Sequence, residues 1–403
     1  MWHGLGRVFF YLFFWFSILF VYNICGMKKT ILLILIIIVV MISMVGCSNL
    51  TNQTLSTFDY FSTITTMSVS YDKHTVIEAC WGQAQSSLYS LEKTLSVYKE
   101  DSDIDKFNKA DKDSTIEISK ITYDVLDMAK KAYVNTNGAY NPALYLLSDL
   151  WGFTDRFINK TYSQEKPYDR ENPKEQLPET KYIEGFLSIT DFSQVTLSKA
   201  YDKYYVYKPN QSITIDGVEY TMQLDLGGIV KGYAAAGLTE LCRTYSIEYG
   251  YITLGSSSLS LLERNKKGQT WDLKLKDPKD SQNYYMQVSL TSAYVSTSGN
   301  YEQYYELNGK RYCHIINPFT GYPIENNNLS ATCVIPFDNE NDYLNASYTD
   351  AYSTALMVMS LDEAKEFISK NNLKAYIALK DRDIYKVYTN DSNSKILANY
   401  EAI

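Results

Sequence analysis

The segment Leu224-Asp225-Leu226-Gly227-Gly228-Ile229-Val230-Lys231-Gly232-Tyr233 carries most of the information in this chain. The apolar residues at its start predict a strand, and the glycine pair predicts a turn. The periodicity of the residues after the pair predicts a helix that runs to about Cys242. Glycines let backbone amides approach a ligand, a helix start adds a positive dipole, and Lys231 adds a full charge. The segment therefore suits a pyrophosphate, although its spacing matches neither the Walker nor the Rossmann motif. Structural glycines at a strand-to-helix turn are the alternative.

The first part of the chain predicts export. Met27-Lys28-Lys29 is a charged start, residues 30–44 are almost wholly apolar, and Val45-Gly46-Cys47-Ser48 matches a lipobox. This is the pattern of a bacterial lipoprotein signal, so we expect residues 1–46 to be a leader and Cys47 to carry lipid. Met27 is then the expected true start. A membrane anchor is the alternative, and residues 8–22 form a second apolar run near the lower length limit for a span.

The charge balance excludes one class of partner. The chain carries 38 basic and 46 acidic residues, a formal net charge of −8 at pH 7. Loss of the leader removes Arg7, Lys28 and Lys29 and no acid, so the net charge becomes −11. Such an acidic chain is not expected to bind nucleic acid. An anionic cofactor must therefore be held by local positive groups.

After the leader, the pattern predicts a tether and one large folded domain. Residues 47–59 are polar and rich in Thr and Ser, which indicates a lipid-anchored tether, and residues 60–390 form the domain, with an insertion at about 154–200. The predicted helices are 76–97, 121–135, 179–187 and one that starts at Ser360. The predicted strands are 60–71, 195–206, 212–226, 251–254, 271–275, 285–290 and 374–387.

The cysteines of the domain show no metal spacing. Cys80, Cys242, Cys313 and Cys333 form no C-x-x-C pair, so buried free thiols are expected. A disulfide that involves Cys313 or Cys333 stays open.

One pair of polar residues is suited to a metal. Asp350 and Thr354 lie four residues apart in a helical pattern that runs from Asp350 to Met359. Residues i and i+4 share a helix face, so the carboxylate and the hydroxyl point the same way. Hard oxygen ligands of this kind suit Mg²⁺. The alternative is a helix cap, since an aspartate also favours a helix start.

Five segments, in order, resemble those of the ApbE family, the FAD:protein FMN transferases. The glycine segment is similar to the family pattern L-D-L-G-G-I-A-K-G-Y, with Val230 in place of alanine. The other four are Ser96-Val97-Tyr98 through Asn108, Gly138-Ala139-Tyr140-Asn141-Pro142 through Phe153, Ser298-Gly299-Asn300-Tyr301 through Pro323, and Asp350 through Ala355. Their family patterns are S-T-Y-x-x-x-S-x-x-x-x-x-N, G-A-F-D-P…L-W-G-F, S-G-D-Y…G-K-R-Y-H-H-I-I-D-P-x-T-G and D-A-x-S-T-A.

The resemblance implies an α/β (α+β) fold in which mixed sheets and helices form two lobes around a central FAD cleft. It implies an enzyme that transfers FMN from FAD to a Thr or Ser hydroxyl of an extracytoplasmic acceptor, through a phosphoester bond, with Mg²⁺ as cofactor and release of AMP. The acceptor would be a flavoprotein of an electron-transfer system, and the lipid anchor would hold the chain at the extracytoplasmic face of the cell membrane. Two alternatives stay open: an FAD pyrophosphatase and a non-catalytic flavin-binding lipoprotein.

The resemblance also assigns roles to residues. His314 and Asp350 are the expected catalytic residues, each a candidate for the base, and an imidazole titrates in the range that suits this role. The expected Mg²⁺ ligands are Gly228, Asp350 and Thr354. The expected cofactor-binding residues are Met67, Tyr98, Ala139, Tyr140, Asn141, Asp225, Lys231 and Ile316. Core packing is the alternative for the apolar and aromatic members of that set.

The chain departs from the family patterns at several positions. Asn141, Asn300 and Asn317 stand where the patterns have Asp, and Ala236 stands where an acid is expected. Each Asn keeps a hydrogen-bonding carbonyl but removes a negative charge. A serine run, residues 256–258, replaces part of a glycine-rich segment, and we expect its hydroxyls and amides to contact phosphate. These changes spare the metal pair, Lys231 and His314, and indicate a divergent but competent enzyme.

Overall fold

A nine-stranded sheet forms the centre of the fold. The computed structural model describes residues 50–72, 75–154, 177–263 and 270–403. The sheet is antiparallel except for its last pair, which is parallel. Its strands, in spatial order, are β1 (Thr51–Tyr60), β2 (Thr63–Tyr71), β8 (Tyr249–Leu254), β9 (Ser258–Leu261), β12 (Ala293–Gly299), β15 (Asn328–Pro336), β16 (Lys374–Asp381), β17 (Ile384–Thr389) and β19 (Glu401–Ala402).

Four smaller sheets surround the central one in the described residues. They contain β3 (Ser114–Ile118) with β5 (Lys203–Lys208) and β4 (Thr196–Ala200); β6 (Ser212–Ile215) with β7 (Val218–Thr221); β10 (Trp271–Asp277) with β11 (Asp280–Leu290) and β18 (Lys395–Ile396); and β13 (Tyr304–Leu307) with β14 (Lys310–Cys313).

The helices of the described residues are α1 (Ile77–Leu95), α2 (Asp103–Lys109), α3 (Lys120–Asn135), α4 (Tyr145–Leu150), α5 (Thr180–Leu187), α6 (Val230–Thr244), α7 (Asp342–Val358) and α8 (Leu361–Lys370), with a 3₁₀ turn at Phe192–Gln194. Local chemistry sets several of their starts. Ser360 caps α8 in a capping box with Glu363, and Ser119 caps α3 by accepting from the N–H of Thr122.

Helices α6 and α7 lie side by side over the central sheet. Helix α6 packs on β8 and β9, and α7 packs on β12 and β15. The two helices approach very closely at Gly232, where an added Cβ would lie 2.1 Å from the carbonyl oxygen of Ala346. Glycine is therefore required at this position by packing. The close approach brings the start of α6, which follows the glycine pair, against the middle of α7.

The mixed α+β class expected from the sequence is confirmed. Thr51 to Ile403 form one compact unit, so the two expected lobes are not separate domains. Five predicted helices correspond to α1, α3, α5, α6 and α8, and the ends that were predicted for them lie within about two residues of the observed ones. The helix predicted from Asp350 corresponds to α7, which starts eight residues earlier, at Asp342. In the part of the chain that the structure describes, no helix is both long and apolar enough to cross a membrane.

Three sequence predictions need correction. Residues 51–59, predicted as tether, belong to β1, which pairs with β2 continuously from Thr51 to Thr57 and again at Tyr60. The predicted strands 195–206 and 212–226 are two hairpins, and residues 222–226 form an irregular connection. Residues 155–176 of the predicted insertion lie outside the described residues, but its later part belongs to the fold, since Phe192 and Val195 are fully buried.

The prediction for the thiols is confirmed. Cys80, Cys242, Cys313 and Cys333 are all free and buried. Burial raises the pKa of Cys313 to about 11 and that of Cys333 to about 12, which keeps both thiols protonated and unreactive.

Candidate active site

A cleft with a volume of about 520 Å³ opens beside the glycine pair. Parts of all five motif segments line it. It brings together these residues predicted from the sequence: Tyr98, Ala139, Tyr140, Asn141, Asp225, Gly228, Lys231, His314, Ile316, Asp350 and Thr354. Segments that lie far apart in the chain thus meet at one surface, as a single binding site requires.

Two predicted residues do not line the cleft. Met67 is 1% exposed in β2, and its Sδ lies 3.6 Å from Sγ of Cys242, within a cluster of apolar side chains. This placement fits the core-packing alternative for Met67. Cys47, the predicted lipidation site, lies outside the described residues.

The connection that leads into the glycine pair is held by a side chain from another motif. Nδ2 of Asn108 donates to the carbonyl of Leu224 at 2.9 Å, and its Oδ1 accepts from the N–H of Leu224 at 2.7 Å. The N–H of Asp225 donates to the carbonyl of Pro142 at 2.8 Å. Asn108 thus satisfies both backbone groups of Leu224, as a neighbouring strand would, so residues 222–226 need no sheet partner there.

The turn itself is closed by polar groups at its start and end. Oδ1 of Asp225 accepts from the N–H of Gly227 at 2.8 Å, which is an Asx turn. Nζ of Lys231 donates to the carbonyl of Gly227 at 2.8 Å. The ammonium of Lys231 is therefore fixed at the turn, where it adds positive charge to the start of α6.

The carboxylate of Asp350 is the central polar group of the site. It is 4% exposed, and it accepts from the N–H of Gly232 and from Oγ of Ser258, both at 3.2 Å. Nζ of Lys231 lies 3.9 Å from its Oδ1. Helix α7 begins at Asp342, so Asp350 lies in its interior and the alternative of a helix cap is wrong.

Thr354 lies one turn beyond Asp350 on α7, as the spacing predicts. Its Oγ1 is 3.2 Å from Oγ of Ser298 and 3.4 Å from the carbonyl oxygen of Asp350. An added Cβ at Gly228 would lie 3.9 Å from the same Oγ1, so the second glycine of the pair faces Thr354. The cleft therefore gathers a carboxylate, a hydroxyl and a glycine backbone, and such oxygen donors fit Mg²⁺. The described residues contain no cluster of three His, Cys, Asp or Glu suited to a metal.

Tyr140 stands against the same glycine. An added Cβ at Gly228 would lie 3.3 Å from Cε2 of Tyr140. Tyr140 is 3% exposed, and its hydroxyl has no hydrogen-bond partner among the described residues. Burial, together with the charges of Asp350 and Asp225, raises the pKa of its phenol well above the ordinary value. The phenol therefore stays protonated and is a hydrogen-bond donor.

His314 lies on another part of the cleft wall, just after β14. Its Nδ1 lies 3.3 Å from the carbonyl oxygen of Gln303, and its ring is 6.5 Å from that of Phe153. A carbonyl oxygen can only accept, so this contact favours the tautomer with the proton on Nδ1. Gln303 and Phe153 also line the cleft, so the imidazole is held at the site by neighbours that belong to it.

Two of the departures from the family patterns, Asn141 and Ala236, have structural explanations. Nδ2 of Asn141 donates to the carbonyl of Thr190 at 2.9 Å, and its Oδ1 accepts from the N–H of Ala143 at 2.9 Å. A carboxylate has no proton to give the Thr190 carbonyl, so asparagine suits this position. Ala236 is 1% exposed and packs beside Ala346, where an acid would be buried.

Sequence reasoning missed the residues that hold the predicted ones in place. These are Asn108, the N–H of Gly232, Ser258 and Ser298. The serine run was a partial signal. Ser256 and Ser257 line the cleft, whereas Ser258 is buried and bonds to Asp350.

A model of the ApbE family matches residues 61–377. The chain belongs to the ApbE family. It is 28% identical over 305 residues to the FAD:protein FMN transferase of Escherichia coli (strain K12), a match that covers 75% of this chain and 78% of that protein. It is also 28% identical over 304 residues to the FAD:protein FMN transferase of Haemophilus influenzae, covering 74% and 78%.

Solved ApbE structures show the same fold. The apo form of the Pseudomonas stutzeri flavinyl transferase ApbE matches with a TM-score of 0.68 and 20% identity, over 84% of this chain and 95% of that chain. The flavin transferase ApbE of Vibrio cholerae matches with a TM-score of 0.67 and 21% identity, over 85% and 98%. The likeness to these structures therefore extends over nearly their whole length.

Proposed function

We propose that this ApbE-family chain is an enzyme that transfers FMN from FAD to a Thr or Ser hydroxyl of another protein and releases AMP. The supporting observation is the convergence of the motif segments on one cleft, where Asp350, Thr354 and Lys231 lie beside the glycine pair. Curated relatives of 25–28% identity over most of the chain are named FAD:protein FMN transferase.

The first task of the site is to hold the pyrophosphate of FAD. Lys231 supplies a fixed positive charge, and Gly227 and Gly228 leave room for the phosphates to approach the backbone. Tyr98, which is 41% exposed at the cleft, presents an aromatic ring to a ligand. Such local groups are needed because the chain as a whole is acidic.

Asp350, Thr354 and the carbonyl of Gly228 would hold Mg²⁺. When bound there, the ion would neutralise charge on the phosphates. Asp350 keeps its orientation through Gly232 and Ser258, so these contacts fix the carboxylate before any ligand arrives.

The reaction is a phosphoryl-type transfer. The hydroxyl oxygen of the acceptor forms a bond to the FMN phosphorus, the bond from that phosphorus to the bridging oxygen breaks, and AMP leaves with the electron pair. The hydroxyl proton goes to a base. His314 and Asp350 both line the cleft and are the two candidates for this base, and the contact of Nδ1 of His314 with the carbonyl of Gln303 holds the imidazole there.

The place of the reaction is part of the proposal. We infer that Cys47 carries the lipid and that the chain works at the extracytoplasmic face of the cell membrane, on an acceptor flavoprotein of an electron-transfer system. The lipobox at residues 45–48 supports this. A Cys47→Ser chain should leave the membrane fraction of cells, whereas the wild-type chain stays there. Equal retention of both would point to another anchor.

The transfer is tested with the full chain, FAD, Mg²⁺ and an acceptor protein that has an Asp/Ser-Gly-x-Thr motif. Denaturing gels under ultraviolet light report covalent flavin on the acceptor, and AMP is assayed in parallel. A fluorescent acceptor band that is lost in the Thr→Ala acceptor supports the transferase. AMP with free FMN and no labelled acceptor would instead identify an FAD pyrophosphatase, and bound FAD without either product a flavin-binding protein.

A further inference from the structure

Lys208, the last residue of β5, places a charged group inside the protein. It is 0% exposed, and its Nζ donates to the backbone carbonyls of Phe107 at 3.0 Å, Asn108 at 3.1 Å and Ala110 at 2.8 Å. An ammonium has three protons, so the three carbonyls match its donors one for one. A buried charge is costly unless its neighbours satisfy it, so Lys208 and these carbonyls hold one another in place.

The three carbonyls belong to the end of α2, which also supplies Asn108. The last carbonyls of a helix have no partner within the helix, and a lysine from another element can satisfy them. Nζ of Lys208 also lies 5.3 Å from the centroid of the Phe107 ring, a cation–π contact. Burial lowers the pKa of Lys208 to about 8, so the ammonium is the main form at neutral pH and all three donors are present. Lys208 therefore fixes the end of α2 to β5.

Asn108 connects this end of α2 to the cleft. Its carbonyl accepts from Lys208, while its side chain bonds to both backbone groups of Leu224, at 2.9 Å and 2.7 Å. Leu224 is followed by Asp225, whose Oδ1 accepts from the N–H of Gly227 and closes the glycine turn. Residues 222–226 belong to no strand, so the position of the turn depends on contacts of this kind.

We propose that Lys208 is a positioning residue for the glycine turn, because it holds Asn108 and, through Asn108, the segment that enters the pyrophosphate side of the cleft. The inference rests on the proposed function, since FAD is the ligand whose phosphates the turn would hold. Lys208 does not line the cleft, so it can act on the ligand only through its neighbours. It also lies outside all five motif segments.

The test measures the affinity of the full chain for FAD in the presence of Mg²⁺ by calorimetric titration. Lys208→Met leaves the three carbonyls without a donor and should weaken binding about tenfold, as loss of an outer partner does at other sites. Lys208→Gln keeps two N–H donors, so its affinity should lie between those of Lys208→Met and wild type. It is also the variant to use where Lys208→Met does not fold. Amide hydrogen exchange at residues 222–229 should be faster in ligand-free Lys208→Gln than in wild type.

Two further variants separate positioning from a general loss of stability. Asn108→Ala removes the link to Leu224, so adding Lys208→Gln to it should weaken FAD binding no further. Lys130→Met is the matched control, because Nζ of Lys130 also donates to a backbone carbonyl, that of Val195, and Lys130 does not line the cleft. Its loss should lower the free energy of unfolding but leave the affinity for FAD and the exchange at residues 222–229 unchanged.

Equal affinity of wild-type and Lys208→Gln chains for FAD would overturn the inference. So would additive losses in the double variant with Asn108→Ala, or an equal loss in Lys130→Met. Failure of the proposed transfer gives a different result, since a wild-type chain that binds FAD but labels no acceptor contradicts the transfer and leaves the comparison at Lys208 intact. A wild-type chain that binds no FAD contradicts both.

Discussion

Two parts of the cleft differ in how far the chain itself completes them. On the Asp350 side, formed by Gly228, Lys231, Ser258, Asp350 and Thr354, the carboxylate already has an N–H donor, a hydroxyl donor and an ammonium nearby. On the Tyr140 loop, residues 138–142, the phenol has no partner in the described chain. The first side is organised before a ligand binds, whereas the second contains a buried donor that is unfavourable because it is unsatisfied.

The largest effect is expected from removing the charge at the centre of the Asp350 side. Asp350→Asn should lower the rate of FMN transfer by about 100- to 1,000-fold, as does loss of one preorganised charge-stabilising group in other enzymes. The rate is measured as AMP release with acceptor present. Asp362→Asn, at an exposed position of α8 outside the cleft, should keep the wild-type rate. An unchanged rate in Asp350→Asn would show that the Asp350 side takes no part in the reaction.

The next effect tests the backbone that carries the Asp350 side. Gly232→Ala places a Cβ 2.1 Å from the carbonyl oxygen of Ala346, so α6 and α7 must move apart. The free energy of unfolding should fall by about 1–3 kcal/mol or more, measured by chemical denaturation. Gly82→Ala on α1, where an added Cβ has nothing within 4 Å, should instead raise the free energy of unfolding by about 0.5–1 kcal/mol, because alanine favours a helix more than glycine does. Equal stabilisation by both changes would contradict the close helix contact.

A smaller effect is expected from the hydroxyl that holds the carboxylate. Ser258→Ala removes one donor to Asp350 but leaves the N–H of Gly232, so transfer should slow by about tenfold. The matched change is Ser260→Ala, two residues along β9, whose Oγ bonds to Oγ1 of Thr239 at 2.6 Å. It should affect stability and leave the transfer rate unchanged. Similar rates for the two variants would show that Ser258 has no positioning role.

The smallest effect belongs to the Tyr140 loop. Asn141→Asp restores the family acid but removes the donor to the carbonyl of Thr190. The free energy of unfolding should fall by about 0.5–1.5 kcal/mol, because that carbonyl loses its partner and faces a charge. The affinity for FAD should change little, since both ends of Asn141 are engaged within the protein. A tighter complex with FAD in this variant would show instead that the position contacts the ligand.

Local sequence patterns were sufficient for much of the fold. The helical periodicities of α1 and α3 and the capping serine of α8 were read correctly because neighbours within a few residues determine them. The shared helix face of Asp350 and Thr354 was also predicted correctly, since the i, i+4 spacing fixes it. The position of Asp350 within α7 was missed, because residues 342–349 are polar enough to hide the true start of the helix.

What the sequence could not show depends on contacts between distant segments. The prediction of a strand at 222–226 failed because Asn108, more than a hundred positions earlier, satisfies the backbone of Leu224. The tether prediction failed at 51–59 because polar residues on an edge strand look like linker until their partner strand is known. The unpartnered phenol of Tyr140 depends in the same way on what surrounds it in space.

The most direct test of the account is the ratio of AMP released to acceptor labelled, measured with the full chain, FAD and Mg²⁺. We expect one AMP for each flavinylated acceptor in the wild type and a loss of both products together in Asp350→Asn. AMP release that continues without acceptor at the same rate, or labelling that survives in Asp350→Asn, would contradict the assignment of FMN transfer to this cleft.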